Sequence, residues 1–152
     1  MNKALSLLAL ILFAATVHAA DSERTYITPP GADPKVAPPF SSGVLVNGTY
    51  YVSGSLGVDP ATGKVPADAE AEVHLVMDSV KQTLERAGLT MSDLVSVTIY
   101  CTDLELYDKF NAIYRSYFPG HYPSRAFIGV AKLVRAARFE IAGVAVKPAK
   151  TR

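Results

Sequence analysis

The sequence predicts an α+β fold: a two-layer sandwich in the order ββαβαββ, with two helices on one face of a mixed sheet. Three observations predict it. Two segments carry apolar residues at helical spacing, several others carry them in alternation or in short β-branched runs, and no segment repeats at solenoid length. A helix with one apolar stripe must bury it, and a shared sheet receives both stripes at once. At 152 residues, 49% of them hydrophobic, the chain is one domain's length with enough apolar material for a core. Fifteen basic against fourteen acidic side chains leave a net charge of +1. That is no broad electrostatic surplus of the kind that binding to nucleic acid or an anionic membrane usually needs, which moves those partners down the list. A single cysteine excludes an intramolecular disulfide framework and any CxxC zinc or redox site.

The first segment does not belong to that core. Ala4 to Ala15 is an apolar run behind one lysine, too short to span a bilayer as a helix, which needs about 20 residues. Val17 and Ala19 then stand three and one residues before a cleavage point. The pattern predicts a secretory signal peptide over residues 1–19, cut after Ala19. No cysteine follows the run to carry a lipid, so the expected product is secreted or periplasmic, with no membrane attachment after cleavage. Residues 20–42 hold Pro29, Pro30, Pro34, Pro38 and Pro39 and show no periodicity. They are read as an extended arm, with regular structure starting at Gly43 and a domain over 43–148.

Gly43 to Val46 and Thr49 to Gly54 read as two strands around Asn47-Gly48, because both residues tolerate the positive φ of a type I′ turn. Asn47-Gly48-Thr49 is also a glycosylation sequon, but the turn already explains it. Asp59 to Gly63 is a second turn. Val73, Val76, Met77, Val80, Leu84 and Ala87 then form one helical stripe, closed by Gly88. In Leu94 to Cys101, Val95, Val97, Ile99 and Cys101 share one strand face. Asp103 can cap a second helix with apolar positions Leu106, Phe110, Ile113, Tyr114 and Tyr117, stopped by Pro119-Gly120. Strands over Arg125 to Lys132 and Arg138 to Val146 complete the order. Tyr50, Val52, Ile141 and Ala145 are read onto the sheet face away from the helices. So short a chain would cover that face with another copy of itself.

Few residues suggest chemistry. No phosphate loop, HExxH or nucleophile elbow is present. His74 has Glu70 and Asp78 four residues to either side, a spacing open to a metal but common on polar helix faces. Cys101, on an apolar strand face, reads as a buried inert thiol. Arg125 opens a strand directly after Pro123-Ser124, where a guanidinium can be aimed at a carboxylate. Glu140 stands inside an apolar strand, and a carboxylate there must be paired or functional. Arg125 and Glu140 could pair with each other, Glu140 could pair with Arg138, or the two could form a site.

Pro38-Pro39-Phe40-Ser41-Ser42, Val52-Ser53-Gly54, Phe110-Asn111-Ala112-Ile113-Tyr114, Tyr117-Phe118, Pro123-Ser124-Arg125 and Phe139-Glu140-Ile141-Ala142 together resemble the YjgF/YER057c/UK114 family, also called RidA-like proteins. The resemblance runs from Pro38 to Val146. It implies a chorismate mutase-like fold, a homotrimer with sites at the subunit interfaces, and no cofactor or metal. It further implies a 2-iminobutanoate/2-iminopropanoate deaminase-like hydrolase, which converts enamines and imines such as 2-aminoacrylate to a 2-keto acid and ammonia. Carried over, Arg125 would hold the substrate carboxylate and Glu140 would position or deprotonate the attacking water. Phe40, Ser53, Gly54, Asn111 and Phe127 would line the cleft. Phe40 stands where the family commonly has Tyr, Ser55 where Gln is usual, and Phe127 where a smaller residue, often Cys, is found. Each departure is compatible with a changed substrate. A trimeric binder of small carboxylates or keto acids without turnover, and a holdase-type stress protein, are the alternatives.

Overall fold

The computed structural model describes residues 23–28, 35 and 37–148. The expected signal at 1–19 and its cleavage point lie outside the described residues, as do Pro29, Pro30 and Pro34. The strands are β1 (Arg24–Ile27), β2 (Gly43–Val46), β3 (Thr49–Leu56), β4 (Leu94–Cys101), β5 (Ser124–Gly129) and β6 (Phe139–Val146), and the helices are α1 (Ala69–Arg86) and α2 (Tyr107–Ser116). The strands form one sheet in the order β1-β2-β3-β6-β4-β5. Only β4 and β5 run parallel, and α2 makes the crossover that a parallel pair requires. Both helices pack on one face of the sheet, as expected.

Local chemistry sets the element ends. Asn47 and Gly48 adopt φ of 49° and 78° in the β2–β3 turn, the paired positive values that splice two twisted strands. The Asp68 side chain accepts the Ala71 N–H at 2.9 Å and starts α1. Beyond Arg86, the Gly88 and Leu89 N–H groups return to the Glu85 and Leu84 carbonyls, each at 2.9 Å. Asp103 caps a short 3₁₀ turn at Leu104–Leu106 rather than α2 itself, which begins one residue later.

Four sequence expectations need correction. Regular structure starts before Gly43, since β1 pairs antiparallel with β2 inside the proline-rich arm. Three of its four residues are exposed, so no apolar alternation marks it. Tyr50, Val52, Ile141 and Ala145 are all buried on the helix side, where the Tyr50 hydroxyl donates to the Thr83 carbonyl at 3.4 Å. The residues on the open side are their neighbours Tyr51, Ala142 and Val144, because strand side chains alternate. In β4 a register shift between Leu94 and Ser96 turns Leu94 inward and leaves Val95 48% exposed. Finally, β5 ends at Gly129, short of Lys132, and β6 begins at Phe139.

The core lies between sheet and helices: Val73, Val76, Val80 and Leu84 of α1 and Phe110 of α2 meet Ile99, Phe139 and Ile141 of the sheet. One ion pair is set into it. Glu72 is fully buried; its Oε1 accepts the Arg138 and Phe139 N–H groups at 2.7 and 3.1 Å, and its Oε2 lies 2.7 Å from Arg138 Nε. Arg138 also donates to the Pro66 and Ala67 carbonyls, tying the segment before α1 to the start of β6.

Candidate functional site

Arg125 projects from the edge strand β5 on the helix side, in register with buried Val97. Its Nη1 donates to Asn111 Oδ1 at 2.7 Å and its Nη2 to the Tyr107 hydroxyl at 3.3 Å. Both acceptors lie on α2, which therefore aims the guanidinium. The guanidinium carbon is 4.9 Å from the Tyr114 ring centre, 5.6 Å from Tyr107 and 5.7 Å from Phe127, a box of π faces that holds a cation without neutralising it. No carboxylate lies within ion-pair distance of Arg125 among the described residues. Tyr107, Asn111, Tyr114, Tyr122 and Arg125 line an open cavity of about 270 Å³. Burial pushes the Tyr114 phenol up to about 12, so it is a neutral hydroxyl at physiological pH. Phe127 stacks edge-on against Tyr107 and Phe110, at 5.0 and 5.4 Å between ring centres, and forms the wall of this box.

Glu140 points the other way. It sits on the open side of β6, opposite Leu56 of β3 and Tyr100 of β4. A β-carbon on Gly54 would run into its carboxylate, so any larger residue there would push the Glu140 side chain out of its present position. Phe40, Ser53 and Gly54 line a second cavity of about 270 Å³ along β3, where β2 has already ended. Phe40 is 61% exposed there. The Ser53 hydroxyl donates to the Ser41 carbonyl at 2.7 Å, holding the arm against the strand.

The residues singled out from sequence thus fall into two groups. Arg125, Asn111 and Phe127 gather at the β5 edge, whereas Phe40, Ser53 and Gly54 line the cavity between β3 and α1, and Glu140 abuts Gly54 from the open face. Two strand spacings, about 10 Å, a three-residue offset along the strands and the sheet itself separate Arg125 from Glu140. Neither pairing suggested for Glu140 forms, and Arg138 pairs with Glu72 instead. Sequence reasoning missed Tyr107 and Tyr122, and placed Tyr114 in an apolar stripe and in the family motif without giving it a role in the site. The usable signal was three tyrosines spaced around an Asn and an Arg.

The remaining candidates have ordinary partners. Glu70 pairs with Lys109 at 3.2 Å, Asp78 accepts the Tyr117 hydroxyl at 2.9 Å, and His74 Nδ1 lies 3.3 Å from that hydroxyl. Among the described residues no three such side chains gather as metal ligands. Cys101 is fully buried and its Sγ donates to the Asp103 carbonyl at 3.0 Å. Burial pushes its thiol up, away from the reactive thiolate.

Fold and site together define a chorismate mutase-like α+β protein with an arginine aimed from its sheet edge. The chain belongs to the endoribonuclease L-PSP family, the YjgF/RidA family, whose profile matches residues 31–147. It is 35% identical over 117 residues to the 2-iminobutanoate/2-iminopropanoate deaminase of Escherichia coli strain K12, covering 75% of this chain and 91% of that protein. It is similar in structure to the YjgF gene product of Escherichia coli, with a TM-score of 0.74 and 32% identity over 82% of this chain and 99% of the other. Escherichia coli TdcF, solved with bound serine, gives a TM-score of 0.73 and 30% identity over 82% and 100% of the two chains.

Proposed function

We propose that this chain hydrolyses reactive enamines and imines of the 2-aminoacrylate and 2-iminopropanoate class to a 2-keto acid and ammonia, at sites shared between the subunits of a homotrimer. One observation carries the reading: Arg125 is held by Asn111 at 2.7 Å inside an aromatic cavity and has no carboxylate partner among the described residues. A fixed, unneutralised guanidinium binds a substrate carboxylate through two parallel hydrogen bonds. The similarity to a named deaminase supplies the reaction class.

In the proposed mechanism Arg125 of one copy orients the imino acid by its carboxylate. Glu140 of the adjacent copy, beside Gly54, takes a proton from water as the oxygen adds to the imine carbon. Glu140 passes that proton to the nitrogen, so that C=NH becomes the C–NH2 of a carbinolamine, and then carries the carbinolamine hydroxyl proton to the same nitrogen, which becomes an NH3+ leaving group. Collapse to the C=O of the keto acid breaks the C–N bond and releases ammonia. An enamine enters the same sequence after protonation at its terminal carbon. Positioning and one proton relay are all that the chemistry asks of the protein.

Assembly is argued from two features. Arg125 and Glu140 lie on opposite faces of one sheet, and the open face carries Tyr26 and Tyr51 at 61% and 52% exposure beside Val144. A second copy on that face would bury them and bring the two half-sites together. Residues 1–19 are read as an export signal, so that the working protein is secreted or periplasmic and starts at Ala20. An N-terminal mass beginning at Met1 in exported material would refute that.

The test generates 2-iminopropanoate in situ with an amino-acid oxidase and follows keto-acid release. The purified chain is expected to accelerate release and to sediment at three chain masses. An unaccelerated rate, with pyruvate still bound saturably, would replace the enzyme by a carboxylate binder. An RNA-cleaving activity finds no support in a chain with fifteen basic and fourteen acidic side chains.

A further inference from the structure

The cavity beside Gly54 contains more polar chemistry than a small imino acid uses. Ser79, Thr83 and Arg86 stand at i, i+4 and i+7 on α1, so they form one line along the helix, and that line faces the cavity. Ser42, Ser53 and Ser55 face it from the strand side. Arg86 Nη2 donates to Thr83 Oγ1 at 2.8 Å, which steadies the guanidinium along the helix. No carboxylate lies within ion-pair distance of it among the described residues, and the hydroxyls of Ser42 and Ser79 have no hydrogen-bond partner there.

A single unpaired guanidinium among hydroxyl donors is suited to an anion with planar oxygens, which Arg binds through two parallel hydrogen bonds. The cavity includes Ser53 and Gly54, and Gly54 is the residue pressed against Glu140. Gly54, on the strand edge that β2 leaves free, thus borders both the Arg86 cavity on the α1 side and the Glu140 carboxylate on the open side, so a ligand anchored at Arg86 reaches the proposed reaction centre around that edge. Phe40, exposed in the wall of the same cavity, offers an apolar flank for intervening methylenes. The volume of about 270 Å³ accommodates a side chain of several carbons.

We infer that Arg86 reads a second carboxylate on the substrate, so that the site prefers dicarboxylic over monocarboxylic imino and keto acids. The inference rests on the proposed site, in which Arg125 takes the first carboxylate and Glu140 faces the imine carbon. In this arrangement Arg86 is a specificity residue: it touches the far end of the substrate and takes no part in proton transfer.

The experiment compares binding of 2-oxoglutarate and 2-oxobutanoate by titration calorimetry on the full exported protein, with wild type, Arg86→Gln and Arg86→Lys. Wild type is expected to bind the dicarboxylate about tenfold or more tightly than the monocarboxylate. Arg86→Gln is expected to erase most of that ratio, and Arg86→Lys to keep part of it, since it retains the charge without the fork. Equal binding of the two acids by wild type, or a preference that survives Arg86→Gln, overturns the inference. Hydrolysis of 2-iminopropanoate is measured on the same wild-type sample. If the preference depends on Arg86 but that imine is not turned over, the deaminase reading fails while the role of Arg86 stands.

Discussion

Arg125→Ala is expected to lower kcat/KM for 2-iminopropanoate by about 100-fold or more, equivalent to about 2.7 kcal/mol of transition-state stabilisation. Arg125→Lys is expected to lose nearly as much. A lysine ammonium would carry the charge but could not at once match Asn111 Oδ1, the Tyr107 hydroxyl and a carboxylate. The assay separates this site from one built within a single chain. Arg125→Ala and Glu140→Gln variants, each nearly inactive, are unfolded together and refolded as mixed trimers. With one half-site from each copy, about a quarter of the interfaces regain an intact pair by random mixing. Activity should return to a comparable fraction of wild type. No recovery in verified mixed trimers would confine both residues to one chain's site and remove the shared-site mechanism.

Glu72→Ala is expected to cost about 3–5 kcal/mol of stability, the range for breaking a buried ion pair by removing one partner. The carboxylate serves three donors: the Arg138 and Phe139 N–H groups and the Arg138 guanidinium. Alanine leaves the two backbone donors without their acceptor in the interior, where an unmade hydrogen bond is most expensive. Glu72→Gln keeps an acceptor for them and loses the charge, so its cost should be smaller. Urea denaturation of the three proteins reads the order directly, and an alanine variant within 1 kcal/mol of wild type would contradict it. Glu72 has no part in the proposed chemistry, so the glutamine variant should keep its turnover at temperatures where it remains folded.

The helices were legible because their stripes are one-sided. Val73, Val76, Val80 and Leu84 are buried as the spacing predicts. Strand β1 was not, because a mostly exposed edge strand has no core face to write an alternation into its sequence. The sides of β3 and β6 were misassigned for a related reason. Both sheet faces carry apolar residues, so Tyr50 and Tyr51 look alike until the helix chooses one of them. Glu72 resembled an ordinary acid in a first helical turn. Its phase with Val76 and Val80, four and eight residues on, was the overlooked sign that it points inward. Arg125 and Glu140 were visible as charges in apolar strands. Their separation onto opposite faces was not, because that depends on strand order and register, which the local sequence does not encode.

The buried state of Cys101 has a practical consequence for measuring assembly. Because its thiol is fully enclosed and hydrogen-bonded to the Asp103 carbonyl, a maleimide dye should pass it by in the native protein. A cysteine introduced at exposed Gln82, on α1 and away from the open sheet face, would then be the one thiol that takes label. Donor and acceptor dyes on separate batches would report subunit exchange by energy transfer, in real time and without any substrate.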